Sequence, residues 1–192
     1  MEKDIDLLYE IGTLRFVERT WKQFLGPDFA NNAEHSFRVA WIALTIAKQE
    51  QGVNTEKLLK IALLHDLLET RTGDVNYLSR QYTIRNDELA VQDIFTGTSF
   101  EEMISLFNEY KDKASLEAKI VKDVDKLDVD FELSEQTSKG NNVQEWVELR
   151  NQVSEKLYTE SAKRIWNEIK KTSPHRWHLN SRNRFNAGDW KK

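Results

Sequence analysis

His65 and Asp66 stand side by side at the end of an apolar run, KLLKIALLHDLLE. Two polar groups in such a place are costly unless something satisfies both, and a metal ion would do so. Neighbours on a regular helix point about 100° apart, so they reach one ion only if it sits beside the helix and other elements close the site. His35, in NNAEHSFRVAW, and Asp125, in AKIVKDVDKLD, supply further ligand types from two other amphipathic segments. Asp123 and Asp128 share the acidic stretch with Asp125 and compete with it on spacing alone. Two imidazoles and two carboxylates make a borderline-hard site suited to one divalent ion, Mn, Co, Mg, Fe or Zn, with positions left for water. The chain has no Cys, which excludes thiolate nucleophiles, disulfides and zinc sites of the Cys type.

The elements that must position these residues read as helices. Seven Gly and two Pro in 192 residues leave few breaks, and apolar residues recur at intervals of three and four, so the fold class is all-α. Leu7, Ile11 and Leu14 line a first helix, from about residue 4 to 24, that stops before the turn signal Gly26-Pro27-Asp28. From Asn32, the pattern Phe37, Trp41, Leu44 gives a second helix that ends ahead of Gly52 and carries His35 in its first turn. Asn54 caps a third, on which Leu58, Ile61, Ala62 and His65 share a face, and Thr70 to Asn76 reads as a loop beyond it. Two shorter helices are expected within 77–113, on either side of a break near Phe95 to Thr98. Leu116, Ile120, Val124, Leu127 and Phe131 define a long helix from about 115 to 138, closed by Lys139-Gly140. A last long helix is expected from about 143 to 171, with Pro174 ending it. The architecture predicted is a single-domain helical bundle over 1–192, with 173–192 a polar, aromatic and basic tail.

Hydrophobic residues make up 39% of the chain, with six Trp and nine Phe, enough apolar material for one folded core. A formal charge of -4 argues against a nucleic-acid surface, which would need a basic stripe. The N-terminus MEKDIDLLYE has none of the basic and apolar character of a signal peptide, and no apolar run approaches the ~20 residues of a membrane helix, so a cytoplasmic location without membrane contact is expected.

The blocks AEHSFRVAWIA, IALLHDLLETRTGD and VKDVDKLD together resemble the HD-domain phosphohydrolases, and among them the small bacterial 5'-deoxynucleotidases and their eukaryotic relatives. The blocks span residues 33 to 128, about half the chain, and an ordered His, HDxxE and later Asp is a fairly specific set. The resemblance implies that His35, His65, Asp66 and Asp125 hold the metal, which selects Asp125 from its acidic neighbours and leaves Asp123 and Asp128 as solvated charges. It implies that Glu69 and Asp74 are the carboxylates around the attacking water. Glu69 also lies four residues after His65, on the same helical face. TLRFVERTW resembles the segment in which an Arg binds the substrate phosphate and a Trp lies against the sugar, roles that fall on Arg19 and Trp21. The implied substrate is a nucleoside or deoxynucleoside 5'-monophosphate, and the implied assembly is a homodimer. A guanosine tetraphosphate hydrolase is a weaker match, because that group extends the motif to HDxxED whereas Thr70 follows Glu69 here. A non-enzymatic helical module that keeps a metal for structure has no use for Glu69 and Asp74. Glu34 and Glu117, which flank the motifs, are expected at the surface, and the HxxH of His175 and His178 is expected to be fortuitous.

Overall fold

The computed structural model describes residues 1–26 and 28–181, and among them there is no strand beyond a single antiparallel bridge between Glu18 and Asn31. Eleven α-helical segments follow in order: α1 (Glu2–Thr13), α2 (Lys22–Leu25), α3 (Asn32–Ala47), α4 (Thr55–Leu64), α5 (Glu69–Thr72), α6 (Asp87–Phe95), α7 (Met103–Asp112), α8 (Leu116–Ser138), α9 (Gln144–Leu149), α10 (Glu160–Ile169) and α11 (Arg176–Leu179). The helices that carry the chemistry are capped by side chains at their starts. Asn31 and Glu34 form a reciprocal capping box on α3, while Asn54 and Ser115 accept from the first-turn amides of α4 and α8. Glu34 stays at the surface, as expected, and serves that cap.

α3, α4 and α8 pack against one another, α7 lies on α4, and α10 lies on α8. Ile46 from α3, Leu58 and Ile61 from α4, and Ile120 and Leu127 from α8 are fully buried at this contact. Each such side chain contributes about 1.5–3 kcal/mol by leaving water, so packing rather than helix propensity holds the three helices in place. A second apolar cluster, in which Leu64, Leu67 and Leu68 meet α6 and α7, anchors the chain just beyond α4.

The two longest helices predicted at the chain's ends are interrupted. α1 stops at Thr13, and after a 3-10 turn the chain is extended at Val17, whose carbonyl accepts from the Asn32 amide at 3.0 Å. This detour lays Arg19 across the middle of the molecule, a tertiary gain that outweighs the local helical pattern. Between α9 and α10 the helix breaks because Arg150 turns inward to Asp130, with Nε 2.6 Å from Oδ1, and buried Leu157 takes an extended conformation. Asp123 completes the break. Its carboxylate accepts from the amides of Tyr158 and Thr159 at 2.8 and 2.9 Å and from the Thr159 hydroxyl at 3.0 Å.

Three acidic residues therefore depart from the expected surface positions: Asp123 is 0% exposed, Asp128 2% and Glu117 4%. Glu117 pairs with Lys57 at 2.8 Å and accepts from the Asn54 amide at 2.7 Å, tying the start of α8 to the start of α4. Of the expected polar tail, residues 173–181 form a turn and α11, and 182–192 lie outside the described residues. Among the described residues no helix is long and apolar enough to cross a membrane.

Replacing Asp123 strands two buried amides and weakens the cap of α10, so Asp123→Ala should cost about 2 to 4 kcal/mol of stability. Urea unfolding monitored by circular dichroism measures it. A loss below ~0.5 kcal/mol would mean that Asp123 behaves as a solvated surface charge.

Candidate metal centre

The site begins where α4 tightens. The His65 amide still reaches Ile61 at 3.0 Å, but Leu67 then bonds Leu64 and Glu69 bonds Asp66, each at 3.0 Å over three residues. Such a turn stacks side chains three apart, so Asp66 and Glu69 face the same side. His65 Nδ1 lies 2.7 Å from the Ala62 carbonyl oxygen. A carbonyl can only accept, so Nδ1 carries the hydrogen and Nε2 presents a bare lone pair. His35, in the first turn of α3 and fully buried, repeats the arrangement: its Nδ1 donates to Asp128 Oδ2 at 2.6 Å, leaving Nε2 free to ligate.

The two bare nitrogens, His35 Nε2 and His65 Nε2, are 3.2 Å apart. Asp66 Oδ2 is 3.3 Å from the first and 3.4 Å from the second, and Asp125 Oδ1 is 3.4 Å from His35 Nε2. Ligands about 2.1 Å from a common ion, at tetrahedral to octahedral angles, stand about 3.0–3.4 Å from one another. His35, His65 and Asp66 converge on one point from the start of α3 and the end of α4, and Asp125, on α8, approaches it at His35. Positive charge between them, from a proton or a metal ion, relieves the repulsion of their lone pairs. His35, His65 and Asp66 have one donor atom each within 4.8 Å of the other two and, among the described residues, make the group that could hold a metal. His175 and His178 approach each other, with ring nitrogens 3.1 Å apart, and neither belongs to this group.

The electrostatics run the same way. Burial and Arg19 oppose a proton on His35, yet Asp125, Asp128 and Asp66 raise its pKa well above the ordinary value, so the pocket draws positive charge to itself. Burial opposes charge on Asp66, but His65, His35 and Arg19 hold its carboxyl well below the usual range. Asp125 is likewise kept ionised against burial, at about 2, chiefly by the hydrogen bond to His35.

A second layer locks these side chains. Asp128, one turn after Asp125 on α8, receives His35 on one oxygen and Arg38 Nε on the other. Arg38 also binds Glu132 at 3.0 Å and Glu135 at 2.7 Å, so one guanidinium staples α3 to three successive turns of α8. Glu69, 6% exposed, accepts from the Asn32 amide side chain and, at 3.1 Å, from Arg85 Nη1. Burial, then Asp66 and Asp74, push its pKa up to about 8, while Arg85 pulls it down.

Arg19 is buried with Nη1 3.3 Å from Asp66 Oδ2; burial opposes its charge, which Asp66, Asp125, Asp74 and Asp128 stabilise. Asp74 Oδ2 accepts from the Thr20 amide at 2.7 Å and its hydroxyl at 2.9 Å, which fixes the residue after Arg19. Trp21 stands among aromatic rings, 5.2 Å from Trp146 and 6.2 Å from Tyr77 between centroids. Asp128, Arg38, Asn32 and Arg85 did not stand out from the sequence. For the first three the signal was a spacing of three residues, Asp128 from Asp125 and Asn32 and Arg38 from His35, which puts each on its neighbour's helical face. Arg85 sits in an irregular segment that offers no such cue. A cavity of about 530 Å³ opens on His65, Asp66, Glu69 and Asp125 and is walled by the 80–88 segment, α7 and α8.

Comparison with known proteins agrees with this geometry. A family model described as HD domain matches residues 11–170. The 5'-deoxynucleotidase HDDC2 of Danio rerio is 32% identical over 139 residues, 67% of each chain. The 5'-deoxynucleotidase hdd1 of Schizosaccharomyces pombe is 31% identical over 119 residues, which cover 57% of this chain and 59% of that protein. Among solved structures, a conserved hypothetical protein from Pyrococcus furiosus superposes with a TM-score of 0.76 at 30% identity, over 88% of this chain and 99% of that one. With the HD-domain model matching residues 11–170 of an all-helical fold, the chain belongs to the HD-domain family.

Proposed function

We propose that the chain is a phosphohydrolase that cleaves the phosphate monoester of nucleoside 5'-monophosphates, deoxynucleotides in particular, using one divalent ion held by His35, His65, Asp66 and Asp125. The observation that carries the reading is the meeting of His35, His65 and Asp66, with Asp125 beside His35, next to the buried carboxylate of Glu69 on an open cavity. The nucleotide part is supported by the names of the relatives. Mn, Co, Mg, Fe and Zn all suit the donor set.

Hydrolysis of a phosphate monoester spreads charge over the phosphoryl oxygens in the transition state. A divalent ion, when bound, neutralises part of that charge and acidifies water. Arg19 brings a second, permanently charged group to the same point, and Asp74 positions it through Thr20. Glu69 accepts the proton of the attacking water. Its carboxylate is aimed by Asn32 and Arg85, and a pKa near neutrality is what a general base needs. The resemblance assigns the sugar to Trp21, which stands in an aromatic cluster with Phe24, Tyr77 and Trp146 and is not among the residues that line the cavity. A module that kept metal for structure alone would gain nothing from burying Glu69 here.

Phosphate release from a panel of ribo- and deoxynucleoside 5'-monophosphates, with Mn, Co or Mg, tests the reading; no release from any of them would contradict it. Glu69→Ala should keep the metal and lower kcat by ~100-fold to 10,000-fold, whereas Arg19→Ala should mainly raise KM. Because Glu69 must be deprotonated to act, kcat/KM should climb as pH rises through its pKa. Arg85→Ala removes a charge that favours the carboxylate, so this acid limb should move upward by about 1 to 3 in pH. A limb that stays in place would take the base role from Glu69.

We also infer a cytoplasmic homodimer. On α3, Phe37 and Trp41 are 69% and 59% exposed at positions four apart, forming an apolar stripe on the outer face. Light scattering should give about twice the 22.6 kDa chain mass, and Trp41→Lys should lower it. A wild-type mass of one chain at high concentration would rule this out.

A further inference from the structure

The site cavity holds four cationic side chains: two are paired with carboxylates, and Arg80, which has no carboxylate partner among the described residues, is solvent-exposed. Lys111 is committed to Glu88, Arg85 to Glu69 and Asp87, and exposed Arg80 bonds the Val75 carbonyl at 3.2 Å. Lys122 differs. It lies one turn before Asp125 on α8, so both side chains face the cavity. Its Nζ stands 3.6 Å above the ring of Tyr110, itself 6% exposed, and among the described residues no carboxylate is within ion-pair distance. An ammonium fixed on an aromatic face and partly removed from water, without a counter-ion, is an expensive arrangement. Burial pulls the Lys122 pKa below that of an ordinary lysine, and Asp125 and Asp66 restore it only in part. Arg19, by contrast, already contacts Asp66 and is not among the residues that line the cavity.

We propose that Lys122 binds the phosphate of the substrate inside the cavity, its ammonium held over Tyr110 and facing the group at His65, Asp66 and Asp125. This rests on the phosphohydrolase reading and sharpens it: the ligand must carry a terminal phosphate dianion, and inorganic phosphate, the product, must bind at the same place.

Calorimetric titration of inorganic phosphate into Mn-loaded protein tests the proposal without turnover. Lys122→Met keeps the apolar stem on Tyr110 and removes the charge, and should weaken phosphate binding about tenfold or more at unchanged Mn content. Lys122→Arg, which keeps the charge, should stay within about threefold of wild type. If the Met variant fails to fold, Lys122→Gln is read in its place. A neutral variant that binds phosphate within about threefold of wild type, or a Mn-loaded wild type that binds none, overturns the proposal, as does a variant that loses Mn but not phosphate affinity. The broader reading fails separately: a protein that needs Lys122 for phosphate yet releases none from any nucleotide retains the anion site and is no hydrolase of those substrates.

Discussion

Two imidazoles and a carboxylate, from His35, His65 and Asp66, meet at one point with Asp125 at its edge, and much of the structure serves to keep them there. Brought together in a low-dielectric interior, the lone pairs of His35, His65, Asp66 and Asp125 repel unless positive charge sits between them. That repulsion has to be resisted before any ion arrives. The α3–α4–α8 core and the Arg38 staple to Asp128, Glu132 and Glu135 provide the resistance, and a cation then converts the conflict into binding energy. Positive charge reaches the point from outside as well, from Arg19 on one side and Lys122 on another.

The chemistry follows from how these charges are partitioned. The same environment that keeps Asp66 and Asp125 ionised raises Glu69, first because it is buried and then because it faces Asp66 and Asp74, with Arg85 acting the other way. Neighbouring carboxylates with pKa values driven apart can divide the work, some as ligands and one as base. Asp74 takes a further part by securing Thr20, so that Arg19 stays where the chain would otherwise have continued as helix.

The central residues were legible in the sequence because a His-Asp pair at the end of an apolar helix has few bland explanations, and because His35 and Asp125 recur in an ordered motif. The all-α class and the core helices α3, α4 and α8 were legible from spacing for the same reason: their periodicity and caps agree with their packing. What was hidden depends on distant partners. Asp128 meets His35 across 93 residues, and Asp123 meets Thr159 across 36, so nothing local marks either as buried. The breaks in the terminal helices were hidden too, since Arg150 reaching Asp130 and Val17 bonding Asn32 are tertiary events that override a helical pattern. Glu69 was visible, but Arg85, which tunes it, lies in a segment with no regular period.

The central claim is that this convergence exists to hold one divalent cation, and metal stoichiometry tests it most directly. Chelator-treated protein titrated with Co(II) or Mn(II) should take up about one ion per chain and release protons, since His35 carries a raised pKa in the ion's absence. Asp66→Ala should abolish uptake under the same conditions, and Asp128→Asn should weaken it about 10- to 100-fold by loosening His35. An Asp66→Ala variant that still binds one ion with wild-type affinity would contradict the account.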